Sequence, residues 1–187
     1  MSRIATWANF IGYQLAWVIV VSAAGHGSAG IALLPEAAFI AWQLVASDRR
    51  KADVQLMLAA LVCGVLIDGS LSLLGWLRYA AGAPAVPFGG APLWILGLWM
   101  CFSLTMPRSL AWLQGRPALS ILLGAIGAPL AYWSAARGWT AVQFPAPALK
   151  GVAGLAVGWA AAVPLLLHLS RRQTLTLPRQ PAVHARG

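Results

Sequence analysis

The sequence predicts an all-α polytopic membrane protein, a bundle of six transmembrane helices joined by short loops. Three observations carry that prediction. Sixty per cent of the 187 residues are hydrophobic and only 9% are charged, whereas a soluble domain carries about 25% charged residues. The mean hydropathy is +0.75. Apolar stretches of about 20 residues, the length a spanning helix needs, alternate with short clusters of helix breakers. Thirteen Lys and Arg with four Asp and Glu are too few to coat a globule of 19.7 kDa. A soluble fold, a disordered chain, a disulfide scaffold and a coiled coil are thereby excluded.

The six stretches are 4–24, 29–46, 54–77, 92–113, 118–136 and 148–169. Each is apolar on all sides, with neither the period-two alternation of a strand nor the single stripe of a surface helix. The first carries Asn9 and Gln14. Arg3 before it and Ser22-Ala23-Ala24 at its end resemble a signal peptide, but its length and two amides favour a retained helix. The second opens after Gly25-His26-Gly27-Ser28 and carries Glu36 and Gln43. The third follows Ser47-Asp48-Arg49-Arg50-Lys51 and carries Cys63 and Asp68. The fourth follows the Gly- and Pro-rich segment 80–91 and contains Cys101 and Pro107-Arg108. Gln114-Gly115-Arg116-Pro117 precedes the fifth, in which Gly124 and Gly127 stand before Pro129. The sixth follows 138–147 and holds Gly154 and Gly158 four residues apart. The four glycines are expected to be packing positions, since small residues let helices approach closely. One domain over 1–172 is expected, followed by a flexible cytoplasmic tail at 173–187.

The net charge of +9 would suggest nucleic acid in a soluble protein. Here the basic residues lie between apolar runs, and the reading is topological. With the N-terminus inside, the inner segments hold Arg3, Arg49, Arg50, Lys51, Arg108, Arg116, Arg171, Arg172, Arg179 and Arg186, while the outer ones hold only Arg78, Arg137 and Lys150. The positive-inside rule then places both termini in the cytoplasm. Trp7, Trp42 and Trp112 fall near inner ends; Trp76, Trp94, Trp133 and Trp139 fall near outer ends. Trp17, Trp99 and Trp159 are read as packing residues.

Polar side chains inside a bilayer cost insertion energy and mark candidate sites. An outer layer is expected from Glu36 and Asp68, with Ser72, Tyr132 and His26 near them. Helix two runs inward and helix three outward, so the two carboxylates arrive at similar depth and would meet if the helices are neighbours. Sharing a dry site, they could hold one proton between them; the same pair would also serve simply to fix helix register. An inner layer is expected from Asn9, Gln43 and Arg108. Gln43 lies seven residues after Glu36 and projects from the same face. Arg108 follows Pro107 and is read as snorkelling to the headgroups. Asp48 and Asp53 flank the basic loop and are read as bland.

No metal site is expected, because His26, His168 and His184 belong to three separate regions, and the two cysteines lie inside apolar segments. No cofactor fingerprint, P-loop or nucleophile elbow is present. The expected partners are the lipid bilayer, other membrane proteins and a small-molecule or lipid ligand, and not nucleic acid.

Four segments, WANFIGYQLAW at 7–17, IDGSLSLLG at 67–75, APLWILGLWMCFSLTMPRSLAWL at 91–113 and LLGAIGAPLAYWSAARG at 122–138, resemble a bacterial inner-membrane family known only as a domain of unknown function. The resemblance implies an inner-membrane location and no defined activity. It also implies Asn-His before the Ser-Leu of helix four, where this chain has Pro107-Arg108. Three roles follow from the residues: a membrane-embedded carrier or accessory that handles a small or lipidic ligand through inward-facing polar residues, an intramembrane enzyme acting on a lipid, and a structural or assembly subunit. The first is preferred.

Overall fold

The computed structural model describes residues 2–175. Within them six helices follow one another: α1 (Arg3–Gly25), α2 (Ala29–Val45), α3 (Arg50–Leu73), α4 (Leu93–Ser103), α5 (Pro117–Trp139) and α6 (Leu149–Leu175). Helix α6 continues to Leu175, past the expected start of the tail at 173, and 176–187 lie outside the described residues. Helices α1, α3, α5 and α6 are long and apolar enough to cross a membrane; α2 and α4 are shorter. One end of the bundle is trimmed by two-residue strands: β1 (Arg78–Tyr79) pairs antiparallel with β4 (Val142–Gln143), and β2 (Ala85–Val86) with β3 (Ala91–Pro92). The opposite end carries the Arg49–Lys51 loop.

Local chemistry sets the helix limits. Ser2 Oγ accepts from the Ala5 N–H at 3.2 Å and caps α1. Arg50 donates to the Leu44 and Val45 carbonyls and closes the end of α2. Helix α4 ends at Ser103, ten residues before the expected limit, and tight turns lead to a 3₁₀ turn at Ala111–Leu113. Ser103 Oγ donates to the Met100 carbonyl and Thr105 Oγ1 to the Phe102 carbonyl. Such side-chain bonds compete with the helical ladder, and Pro107 has no N–H to continue it. Helix α5 widens into a π turn at Leu123–Gly127, ahead of Pro129, which cannot donate to the preceding turn.

The surface is inverted relative to a soluble protein. Leu66 (64% exposed), Leu130 (63%) and Val157 (73%) face outward, while Asn9, Glu36, Gln43, Asp53 and Asp68 are buried. Apolar surroundings remove the usual gain from burying leucine, so helix contact relies on close approach. Gly154 leaves room for Leu71, Gly158 for Ile67, and Gly124 for the α6 backbone at Trp159. Helix α4 packs against both α2 and α3, which scarcely touch each other. That insertion decides the geometry of the buried polar groups.

Candidate functional site

Asp68, in the last turns of α3, is completely buried (0% exposed). Its Oδ1 accepts from the Tyr79 hydroxyl at 2.6 Å and the Tyr132 hydroxyl at 2.7 Å, and its Oδ2 accepts from Trp99 Nε1 at 2.6 Å. One carboxyl thus ties α3 to β1, α4 and α5. Gly64 admits the indole, because a Cβ there would collide with the Trp99 ring. Trp99 stacks on Trp159 of α6 with ring centres 4.0 Å apart. The adjoining cavity, between Trp17, Trp94, Tyr132 and Trp159, has a volume of only about 40 Å³. With three neutral donors on it, Asp68 joins the elements that carry them.

Glu36 stands in the opposite condition. It is 2% exposed, and its Oε1 has no hydrogen-bond partner among the described residues. The carboxyl lies against Gly97 of α4, where a Cβ would take its place. Glu36 and Gly97 line a groove of about 420 Å³ whose walls are Leu33 and Ile40 of α2, Leu61 and Val65 of α3, and Met100 of α4. Val86 of the β2–β3 hairpin lies at one end. Exposed Ala37 and half-buried Ile40, Leu61 and Val65 open it to the surroundings of the bundle.

The expected meeting of Glu36 and Asp68 does not occur. Glu36 meets α4 at Gly97 and Asp68 meets it at Trp99; two residues apart, these positions face opposite sides of a helix turning about 100° per residue. Helix α4 separates the carboxylates. The rest of the outer layer is also divided. Tyr132 joins Asp68, but Ser72 Oγ donates to the Gly89 carbonyl at 3.0 Å and holds the hairpin. His26 Nδ1 contacts the Ser22 carbonyl at 2.7 Å, at the end of its own helix.

The inner residues do come together. Asn9 Nδ2 donates to Gln43 Oε1 at 2.9 Å, and Asn9 Oδ1 accepts from Ser109 Oγ at 2.7 Å. Arg108 pairs with Asp53 at 2.7 Å and donates to the Leu104 and Gln43 carbonyls at 3.1 and 3.5 Å. The expected snorkelling of Arg108 is corrected: the break in α4 turns its guanidinium inward, onto an aspartate at the start of α3. Asp53, read as bland, is buried and neutralises it. Of the packing glycines, Gly127 has only Leu123 close to where a side chain would stand.

Sequence reasoning missed Tyr79, Trp99, Asp53 and Ser109. A signal existed for Trp99: a tryptophan far from any interface needs an acceptor for its N–H, and few are available in an apolar bundle. Trp94, expected at an interface, is buried and donates to the Ala80 carbonyl at 3.1 Å. Among the described residues no three His, Cys, Asp or Glu side chains cluster as metal ligands would.

Apolar helices, an apolar exterior and bonded polar residues within mark a membrane-embedded helical protein. The chain belongs to the family described as "Protein of unknown function (DUF2878)", whose model matches residues 6–165. All four segments that carried the family resemblance lie inside that match. Neither a curated protein nor a solved structure matches the chain.

Proposed function

We propose that the protein resides in the inner (plasma) membrane of a bacterium as a six-span bundle with both termini in the cytoplasm, and that it is a carrier or accessory admitting a small or lipidic ligand sideways between α2 and α3. The location and orientation are supported by the apolar exterior and by the skew of basic residues towards one set of loops. Helices α2 and α4 are the short ones, with 17 and 11 residues, and α4 covers only about 16 Å at 1.5 Å per residue. The turns at 104–113 carry the chain onward to the next connector.

The role is supported by one observation above all: the Glu36 carboxyl is buried without a partner for Oε1 in a groove otherwise lined by apolar side chains. An orphaned buried acceptor is costly and calls for an explanation. Asp68 by contrast holds three donors and Arg108 its aspartate; Trp159 Nε1 is the other buried side-chain atom without a partner among the described residues. The groove volume falls within the roughly 300–1,000 Å³ of ligand sites.

The test is a set of photoactivatable single-chain amphiphiles, hexadecyl derivatives with a mid-chain diazirine, added to proteoliposomes and mapped by mass spectrometry. Adducts should concentrate on Leu61, Val65 and Met100 over the exposed faces at Leu130 and Val157. Equal labelling of groove and exposed faces would remove the ligand-handling role.

A further inference from the structure

We propose that the groove selects its ligand by a hydrogen-bond donor at the head of a single apolar chain, an N–H or O–H that Glu36 accepts. This deepens the ligand-handling reading and rests on it. The residue lining is specific about head chemistry. Apart from Glu36, the side chains are Leu, Ile, Val, Ala and Met with one glycine, so Glu36 brings the only polar side chain to the lining. A head that only accepts hydrogen bonds, such as an ester, can pair only with a protonated carboxyl, whereas an N–H or O–H head finds an acceptor oxygen in either form. An anionic head would face a carboxyl with no compensating cation, since neither Lys nor Arg lines the groove among the described residues.

Depth limits the size of the head. Glu36 is seven residues from Ala29, where α2 begins, about 10 Å along the axis. A phosphodiester headgroup would have to leave the interface to reach that level, whereas a hydroxyl or amine on an alkyl chain is compact enough to enter. Gly97 sets the remaining limit, since its missing side chain makes room for the carboxyl. The shared chemistry is donation to a carboxyl oxygen; long-chain alcohols and long-chain amines are its two sources.

The experiment uses the full chain in dioleoylphosphatidylcholine vesicles and three hexadecyl probes, each with a mid-chain diazirine, ending in a hydroxyl, an amine or a methyl ester. After irradiation, adducts are mapped by mass spectrometry. The expected result is at least fivefold more labelling of Leu61, Val65 and Met100 by the hydroxyl or the amine probe than by the ester. Whichever donor probe prevails identifies the source. Glu36→Leu should reduce that ratio to near one. Should Glu36→Leu not accumulate, Glu36→Gln supplies the check: its amide keeps an acceptor and adds two N–H donors that can pair with the ester, so labelling by the ester should rise and the preference for donor heads should fall.

Equal groove labelling by all three probes overturns the donor inference while leaving a lipid-handling groove in place. Absence of groove enrichment in every arm overturns both. Disulfide formation between copies carrying cysteine at Val65 and Met100 would assign the groove to a second copy of the chain and overturn the inference as well.

Discussion

Arg108 and Asp53, 55 residues apart in sequence, form a buried pair at 2.7 Å that joins the broken end of α4 to the first turn of α3. Breaking it leaves one charge without its partner in a poorly solvated site, a change worth ~3–5 kcal/mol in buried pairs. Asp53→Asn and Arg108→Met should each reduce membrane abundance and lower the detergent melting temperature by several degrees. Replacing both residues with apolar ones should recover most of the loss, a non-additivity visible in a double-mutant cycle.

The three donors on Asp68 predict a graded series. Tyr79→Phe and Tyr132→Phe each delete one hydrogen bond, worth ~1.5–3 kcal/mol when the acceptor is charged. Asp68→Asn keeps one acceptor oxygen for the tyrosines but turns an amide donor towards the Trp99 N–H or a hydroxyl. Asp68→Leu orphans all three donors. Thermal stability should fall in the order wild type, Asp68→Asn, Asp68→Leu, and tryptophan fluorescence should report loosening of the Trp99–Trp159 stack.

The two intramembrane carboxyls differ in access, and a lipophilic carbodiimide should distinguish them. Dicyclohexylcarbodiimide entering from the bilayer should modify Glu36, which lines an open groove, and spare Asp68, which is enclosed and fully bonded. Peptide mapping of the acylurea reads the result. Preferential modification of Asp68 would contradict the contrast drawn between the two sites.

Gly97 and Glu36 compete for one volume, because a methyl group on Gly97 would occupy the place of the carboxyl. Gly97→Ala should therefore destabilise the protein by ~1–3 kcal/mol, as overpacking does. In a Glu36→Ala background the same substitution should cost much less. Melting temperatures of the four proteins in the cycle provide the measurement.

Topology is open to reporter fusions. Fusions at the C-terminus and in the Arg49–Lys51 loop should read cytoplasmic, and fusions within 84–90 should read periplasmic. A periplasmic signal from the Arg49–Lys51 loop would reverse the orientation proposed from the basic residues.

Much of the architecture is legible in the linear pattern, because membrane insertion depends on sums over about 20 consecutive residues. Those sums locate all six helices to within a few residues at most of their ends. They fail at α4, where 92–113 reads as one apolar run but the chain leaves the helix after Ser103. Hydropathy counts Ser103, Thr105 and Pro107 as minor interruptions. In the folded chain the two hydroxyls bond back to preceding carbonyls, and Pro107 offers no N–H.

The sequence by itself also determined that four acids and a skewed set of basic residues must be placed within an apolar molecule. Tertiary structure alone decided their partners. Glu36 and Asp68 sit on consecutive helices at similar expected depth, yet α4, contributed by a segment further along the chain, lies between α2 and α3 and turns Gly97 to one carboxyl and Trp99 to the other. Depth is a property of each helix taken alone, whereas hydrogen-bond partnership depends on which distant helix fills the space beside it. For that physical reason Asp68 holds three donors, while Glu36 Oε1 is unpaired and Glu36 lines a groove open to the surroundings of the bundle.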